Sequence, residues 1–117
     1  MNIENWIVQV RKGILEFCIL GALKEKEYYG YRLVKKLVSI PGLGAKEGTV
    51  YALLSRLKQQ ELVKTRLEES SAGPVRKYYS LTDKGEKIRE MMNDYFETLI
   101  QGVEELKNTG DDSYEMD

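Results

Sequence analysis

The sequence predicts a mainly α fold carrying one two-stranded β wing, and three neighbouring observations carry that prediction. Val50, Leu53, Leu54 and Leu57 recur at i, i+3, i+4 and i+7, the core stripe of a helix. Two strand-like runs follow directly, 62–69 and 75–81, joined by the turn-forming stretch Ser70-Ser71-Ala72-Gly73-Pro74. Thr82-Asp83 then opens a second and longer helical pattern. Helix, two-stranded wing and helix in that order describe a winged helix-turn-helix followed by a long C-terminal helix.

The first helix is expected over about Glu4–Lys24. Ile7, Val10, Ile14, Cys18 and the region 19–23 make it apolar on more than one side, which predicts burial between several neighbours. Its run of apolar residues, interrupted by Glu16, is well short of the ~20 needed to span a bilayer. The charged Lys24-Glu25-Lys26-Glu27 stands where a signal peptide would have small residues. Tyr28-Tyr29-Gly30-Tyr31 opens a second helix to about Ser39, with Leu33, Val34, Leu37 and Val38 at helical spacing. Pro41, Gly42 and Gly44 stop it, because the residue before proline leaves the helical region and glycine admits left-handed turns.

A third helix runs from about Lys46 to Gln60. One face is the apolar stripe already named; the other offers Gly48, Ala52, Ser55, Arg56 and Gln59, with no acid between Thr49 and Gln60. A merely solvated face would mix Glu with Lys, whereas this one is built for close approach. In the hairpin, Val63, Thr65 and Leu67 alternate with Lys64, Arg66 and Glu68, the pattern of a half-buried strand. The last helix, about Asp83–Lys107, starts on a Thr82 cap with Asp83 favourable to its dipole. Ile88, Met92, Tyr95, Leu99, Val103 and Leu106 repeat along it, widened by Met91, Phe96 and Ile100. That stripe exceeds what one small core covers and predicts a partner helix.

The chain of 117 residues is expected to divide into a winged helix-turn-helix at 1–81, a dimerisation helix at 82–108 packed on the same domain, and an acidic disordered tail at 109–117. No internal repeat or long linker separates two domains. With no histidine and a single cysteine, Cys18, there is no basis for an internal disulfide, a structural zinc or histidine catalysis, and the thiol suits a reducing cytoplasm. The net charge of −1 conceals a division. Residues 1–81 hold 14 Lys/Arg against 8 Asp/Glu, and residues 82–117 hold 4 against 11. Part of the acidic excess is simply the tail, but the remainder leaves the basic surface on the winged part, where phosphates would meet it.

Candidate DNA contacts are therefore Lys46, Gly48, Thr49, Tyr51, Ser55 and Arg56 on the third helix and Arg76 and Lys77 past the wing turn. Tyr51 equally suits a place at the border of the core, and charges on the wing also guard a strand edge. Candidate dimer contacts are Ile7, Val10, Ile88, Met92, Tyr95, Leu99, Val103 and Leu106.

The chain resembles the PadR family of bacterial transcriptional regulators, in its short form with one C-terminal helix. The residues that carry the resemblance are 11–16 (Arg-Lys-Gly-Ile-Leu-Glu), Tyr29-Gly30-Tyr31, Glu47-Gly48-Thr49-Val50-Tyr51 with Leu54 and Leu57, and 73–85, from Gly73-Pro74 through Arg76-Lys77-Tyr78-Tyr79 to Gly85. The resemblance implies a homodimeric repressor whose third helix and wing bind palindromic operators, with the first and last helices at the dimer interface. The chain departs from the family pattern in two places. Glu61 stands where the family has glycine between recognition helix and strand, so a left-handed backbone there carries roughly 1–2 kcal/mol of strain. Some members bind flat aromatic drugs between interface tryptophans; here only Trp6, Tyr95 and Phe96 are available, either to hold such an effector or simply to fill the interface.

Two function classes stand against each other. In the first, the protein is a DNA-binding repressor with double-stranded DNA, a second copy of itself and a small hydrophobic or planar aromatic ligand as partners, and no membrane or cofactor. In the second, the winged helix is a protein-interaction module whose acidic last helix makes the contact. The acid-free face of the third helix favours the first. An enzyme has no nucleophile–base pair or metal set to support it.

Overall fold

Helix α1 spans Ile3–Ala22 and begins on Asn2, whose side chain accepts from the backbone N–H of Glu4 (2.9 Å) and Asn5 (3.3 Å). It is not one continuous helix. Lys12 (ψ 143°) is extended and Gly13 (φ 73°) is left-handed, so the segments before and after run as two pieces joined at a break. The structure, a computed structural model, describes residues 1–108, and the acidic tail expected at 109–117 lies outside the described residues. Only the second piece of α1 enters the core, through Leu15, Ile19 and Leu20. The first piece leaves Ile3, Trp6, Val8 and Val10 about half exposed, which corrects the expectation of burial on every side within one chain.

The second correction concerns Tyr28 and Tyr29. They do not open a helix but form β1 (Tyr28–Tyr29), which pairs antiparallel with the wing, Tyr28 opposite Tyr79 and Tyr29 opposite Tyr78. Helix α2 begins only at Gly30 and ends at Val38 (Gly30–Val38). The glycine is required by packing. A Cβ at position 30 would stand 3.1 Å from the Tyr79 ring and 3.4 Å from that of Tyr51. Val38, expected in the α2 stripe, is exposed, while Leu33, Val34 and Leu37 are buried.

Helix α3 (Glu47–Gln59) follows a connection turned by left-handed Gly42 and Gly44. The wing is β2 (Val63–Ser70) and β3 (Gly73–Leu81), and with β1 it makes a three-stranded antiparallel sheet in the order β1-β3-β2. Ser70 pairs with Gly73, so the turn is shorter than the five residues expected and Pro74 falls inside the strand. Leu67 lies on the same face of the ribbon as Val63 but beyond the core, and it is exposed.

Between α3 and β2 the chain closes a Schellman turn: Leu62 N–H donates to Leu57 O (2.9 Å) and Glu61 N–H to Lys58 O (3.0 Å). Glu61 holds the left-handed position of that turn at φ 63°, where glycine is the residue of least strain. The last helix, α4 (Asp83–Lys107), is capped as expected, with Gly85 N–H donating to Thr82 Oγ1 (2.9 Å). Thr82 Oγ1 also donates to Glu61 O (2.6 Å), tying the start of α4 to the left-handed joint.

Leu15, Ile19, Leu20, Leu33, Leu37, Val50, Leu54, Leu57 and Val63 form the centre of the core, under the crossing of α1, α2 and α3, with Tyr79 closing it from the sheet. Among the dimer candidates, Ile88 and Met92 also pack against this core in their own chain. Beyond Phe96 every described residue of α4 is exposed. The radius of gyration is 18.0 Å, against about 13 Å for a rounded domain of this length. The excess arises because α4, about 37 Å long, projects past the domain it starts from.

Candidate nucleic-acid interface

Helix α3 divides its residues cleanly. Val50, Leu54 and Leu57 point inward, fixing which side faces out: Gly48, Thr49, Ala52, Ser55, Arg56 and Gln59 are exposed. Lys46, the N-cap, is exposed beside them. No carboxylate belongs to α3 beyond Glu47 in its first turn, where it suits the helix dipole. Gly48 has open space around the position of a Cβ, so nothing in the fold itself demands glycine there. The exposed face is made of small and hydrogen-bonding side chains, which suits close approach to a groove.

One of the sequence-predicted residues sits differently from what linear spacing suggests. Arg56 is ion-paired with Glu16 of α1, so the acid-free face of α3 has a carboxylate brought to it from another element. Tyr51 packs its ring beside Gly30 and stays just over a third exposed. Partial burial, with Glu47 and Tyr29 nearby, pushes its phenol pKa up. Its place is at the border of the core with its edge still reachable.

On the wing, Arg76 lies opposite Glu68 and Lys77 opposite Leu67, so the two cations project to opposite faces of the ribbon. The Arg76 guanidinium stacks over the Tyr29 ring at 4.9 Å, and Arg66 stacks over its cross-strand partner Tyr78 at 4.5 Å. Arg66 is further held by Glu27, with 2.9 Å between Nε and Oε2, and by Glu68 at 3.2 Å. The guanidinium in turn holds the Glu27 carboxyl below its ordinary range. Tyr29, Tyr31 and Tyr78 thus form a tyrosine row capped by Arg76, Lys35 and Arg66. The sequence contained the signal, tyrosines interleaved with cations, but the pairing of β1 with β3 is what assembles it.

The structure brings Tyr95 and Phe96 together with Phe17, Val10, Met92 and Leu99 around a cavity of about 280 Å³ between α1 and α4. Phe17 and Phe96 are in ring contact at 5.5 Å. Trp6, though expected with them, is not part of that lining and stands half exposed on the first piece of α1. Among the described residues there is no cluster able to hold a metal ion, and no helix is long and apolar enough to cross a membrane.

A recognition-type helix beside a β wing, with a long helix leading away, is the architecture of a winged helix-turn-helix protein. The chain belongs to the transcriptional regulator PadR-like family, whose model matches residues 19–91. It is similar to a PadR-like transcriptional regulator from Bacillus cereus, at 38% identity and a TM-score of 0.77 over 88% of this chain and 99% of that one. A PadR family regulator from Eggerthella lenta is 30% identical, with a TM-score of 0.76 over 92% and 94% of the two chains. Bacillus subtilis PadR, solved in complex with operator DNA, is 26% identical with a TM-score of 0.61; the match covers 68% of this chain and 46% of that one.

Proposed function

We propose that this protein is a homodimeric, cytoplasmic repressor that binds a palindromic operator through α3 and the wing. The observation that carries the reading is the outward face of α3, exposed, small and hydrogen-bonding, in a relative of a protein solved on its operator. Thr49 and Ser55 would meet base edges, Lys46 and Lys77 phosphates, and Gly48 would let the backbone approach closely. Arg56 joins them once a phosphate or base draws it from Glu16.

The dimer is supported by apolar surface with nothing among the described residues to cover it. Tyr95, Leu99, Val103 and Leu106 of α4 and Val10 of α1 are all exposed by more than a third. Pairing α1 and α4 of two copies would bury them and set two α3 helices at half-sites about 34 Å apart or a multiple of it. A planar aromatic effector between Tyr95, Phe96 and Trp6 at that interface would alter the setting.

The test is fluorescence anisotropy with labelled duplexes. DNA from upstream of the protein's own gene should bind more tightly than a scrambled duplex, and Ser55→Ala should change the ranking among operator variants. Equal affinity for operator and scrambled DNA at physiological salt refutes the proposal. Sedimentation should show a dimer; a monomer that binds no DNA would favour the protein-interaction alternative.

A further inference from the structure

The two faces of the wing are unequally occupied. Strand residues alternate between them, so Arg66, Arg76 and Tyr78 share one face and Leu67, Val75 and Lys77 the other. On the first face the cations are already engaged. Arg66 is held by Glu27 and Glu68 and stacks on Tyr78, and Arg76 stacks on Tyr29. On the second face Lys77 is exposed and makes no ion pair among the described residues.

That second face also carries apolar surface. Leu67 is 67% and Val75 53% exposed, and neither packs against the core. Leu67 stands on β2, the outer strand of the order β1-β3-β2, where exposed apolar side chains invite association. The face is continuous with α3. Its last core residue toward the tip is Tyr79, and a Cβ on Gly30 would touch both the Tyr79 ring and that of Tyr51 on α3. Along the strand from Tyr79, Lys77 follows at about 7 Å and Val75 at about 13 Å.

We infer that the wing meets duplex DNA with this face alone. Leu67 and Val75 lie against deoxyribose edges of the minor groove beside the major groove that α3 enters, and Lys77 neutralises a phosphate of the same wall. Those edges are apolar C–H surface bordered by phosphates, so two aliphatic side chains with a free lysine between them match them in both respects. Arg66 and Arg76 do not touch the duplex. Stacked on Tyr78 and Tyr29, they fasten the wing to β1 and fix the angle at which Leu67 and Val75 are presented. Aliphatic contact with sugars carries no donor–acceptor pattern, so this face reads the width of the groove rather than its bases. The inference rests on the DNA-binding reading and adds to it which wing side chains make the contact.

The experiment uses the full chain on the duplex from upstream of its own gene. Anisotropy titrations at several salt concentrations give the affinity and its salt slope. Hydroxyl-radical footprinting reads sugar hydrogens in the minor groove, and dimethyl sulfate protection reads guanine N7 in the major groove. Lys77→Gln should flatten the slope of log affinity against log salt by about 1, whereas Arg76→Gln should leave it as in wild type. Leu67→Ser with Val75→Ser should lower operator affinity about tenfold with the slope unchanged. That variant should lose sugar protection beside the α3 site and keep guanine protection, which also shows that it is folded. Equal flattening by Arg76→Gln and Lys77→Gln overturns the inference. Sugar protection that survives the two serines overturns it as well, and leaves the apolar pair to a protein partner. A wild type that binds no duplex refutes the DNA reading itself, and this inference with it.

Discussion

Gly85 sits in the first turn of α4 with its Cα against the backbone of Leu62, and replacing it with alanine should cost more than any exposed substitution in the helix. A Cβ built there would stand 2.9 Å from the carbonyl carbon of Leu62 and closer still to its oxygen, where ordinary contact starts at 3.4 Å. Both atoms are backbone, so neither can rotate away; relieving the oxygen contact requires α4 and the β2 entry to separate by about 1 Å or more. That junction holds three hydrogen bonds: Thr82 N–H to Leu62 O (3.2 Å), Thr82 Oγ1 to Glu61 O (2.6 Å) and Gly85 N–H to Thr82 Oγ1 (2.9 Å). Overpacking of this kind costs about 1–3 kcal/mol, and weakening one or two of those bonds adds about 1 kcal/mol each. Alanine's better helix propensity returns at most about 1 kcal/mol. The expected net loss is about 3 kcal/mol, a fall in Tm of roughly 10–20 °C in circular dichroism melts. Gly48→Ala is the control, since it is also helical but has open space around its Cβ position. At equal protein concentration it should melt at or slightly above wild type. A Gly85→Ala protein as stable as wild type would refute the close-approach argument.

Gly48→Ala should nonetheless weaken operator binding in the anisotropy assay, because the added methyl stands on the face that approaches DNA; undiminished affinity would remove Gly48 from that face. Glu61→Gly should stabilise the fold by about 0.5–1 kcal/mol in urea titrations, relief of left-handed strain exceeding the added freedom of the unfolded chain. The Glu27 and Glu86 carboxyls are held below their ordinary 4.5 by hydrogen bonds from Arg66 and Arg89. A carboxyl with a depressed folded pKa stabilises above its unfolded pKa and loses that contribution as protons return. The urea midpoint should therefore fall as pH drops from about 5 to about 3, less steeply in Glu27→Gln with Glu86→Gln. Arg76→Ala with Lys77→Ala should weaken binding to operator and scrambled DNA alike. The same double variant should flatten the salt dependence by about 1 for each phosphate it ceases to neutralise; a change in sequence preference instead would place either cation on base edges.

What the sequence made legible was whatever repeats. The stripes of α3 and α4 cover several turns, and the structure follows them to within a residue or two. The Thr82 cap and the strand alternation up to Thr65 were equally visible. What escaped was short or non-local. A two-residue strand such as Tyr28–Tyr29 carries no period, and only its pairing with Tyr78 and Tyr79 makes it a strand. The break at Lys12–Gly13 hides inside an unbroken apolar pattern, because one left-handed glycine leaves the spacing on either side intact. At the candidate site, the cations and the acid-free stretch of α3 could be read in line. The pairing of Arg56 with Glu16 spans 40 residues, and the opposite faces of Arg76 and Lys77 depend on wing register. At Glu61 the sequence posed the question, and the backbone answers it with a left-handed turn.

The projecting half of α4 has a mechanical consequence. In the proposed dimer the whole of α4 is a lever about 37 Å long whose outer end meets the partner and whose inner end is bolted to the winged domain through Thr82 and Gly85. A rotation of about 10° at the outer end moves the inner end by about 6 Å, nearly two base-pair steps of about 3.4 Å each. Small changes in how two such levers cross are thus amplified into changes of half-site spacing. Operators lengthened or shortened by one or two base pairs at their centre become a ruler for the angle between the two copies.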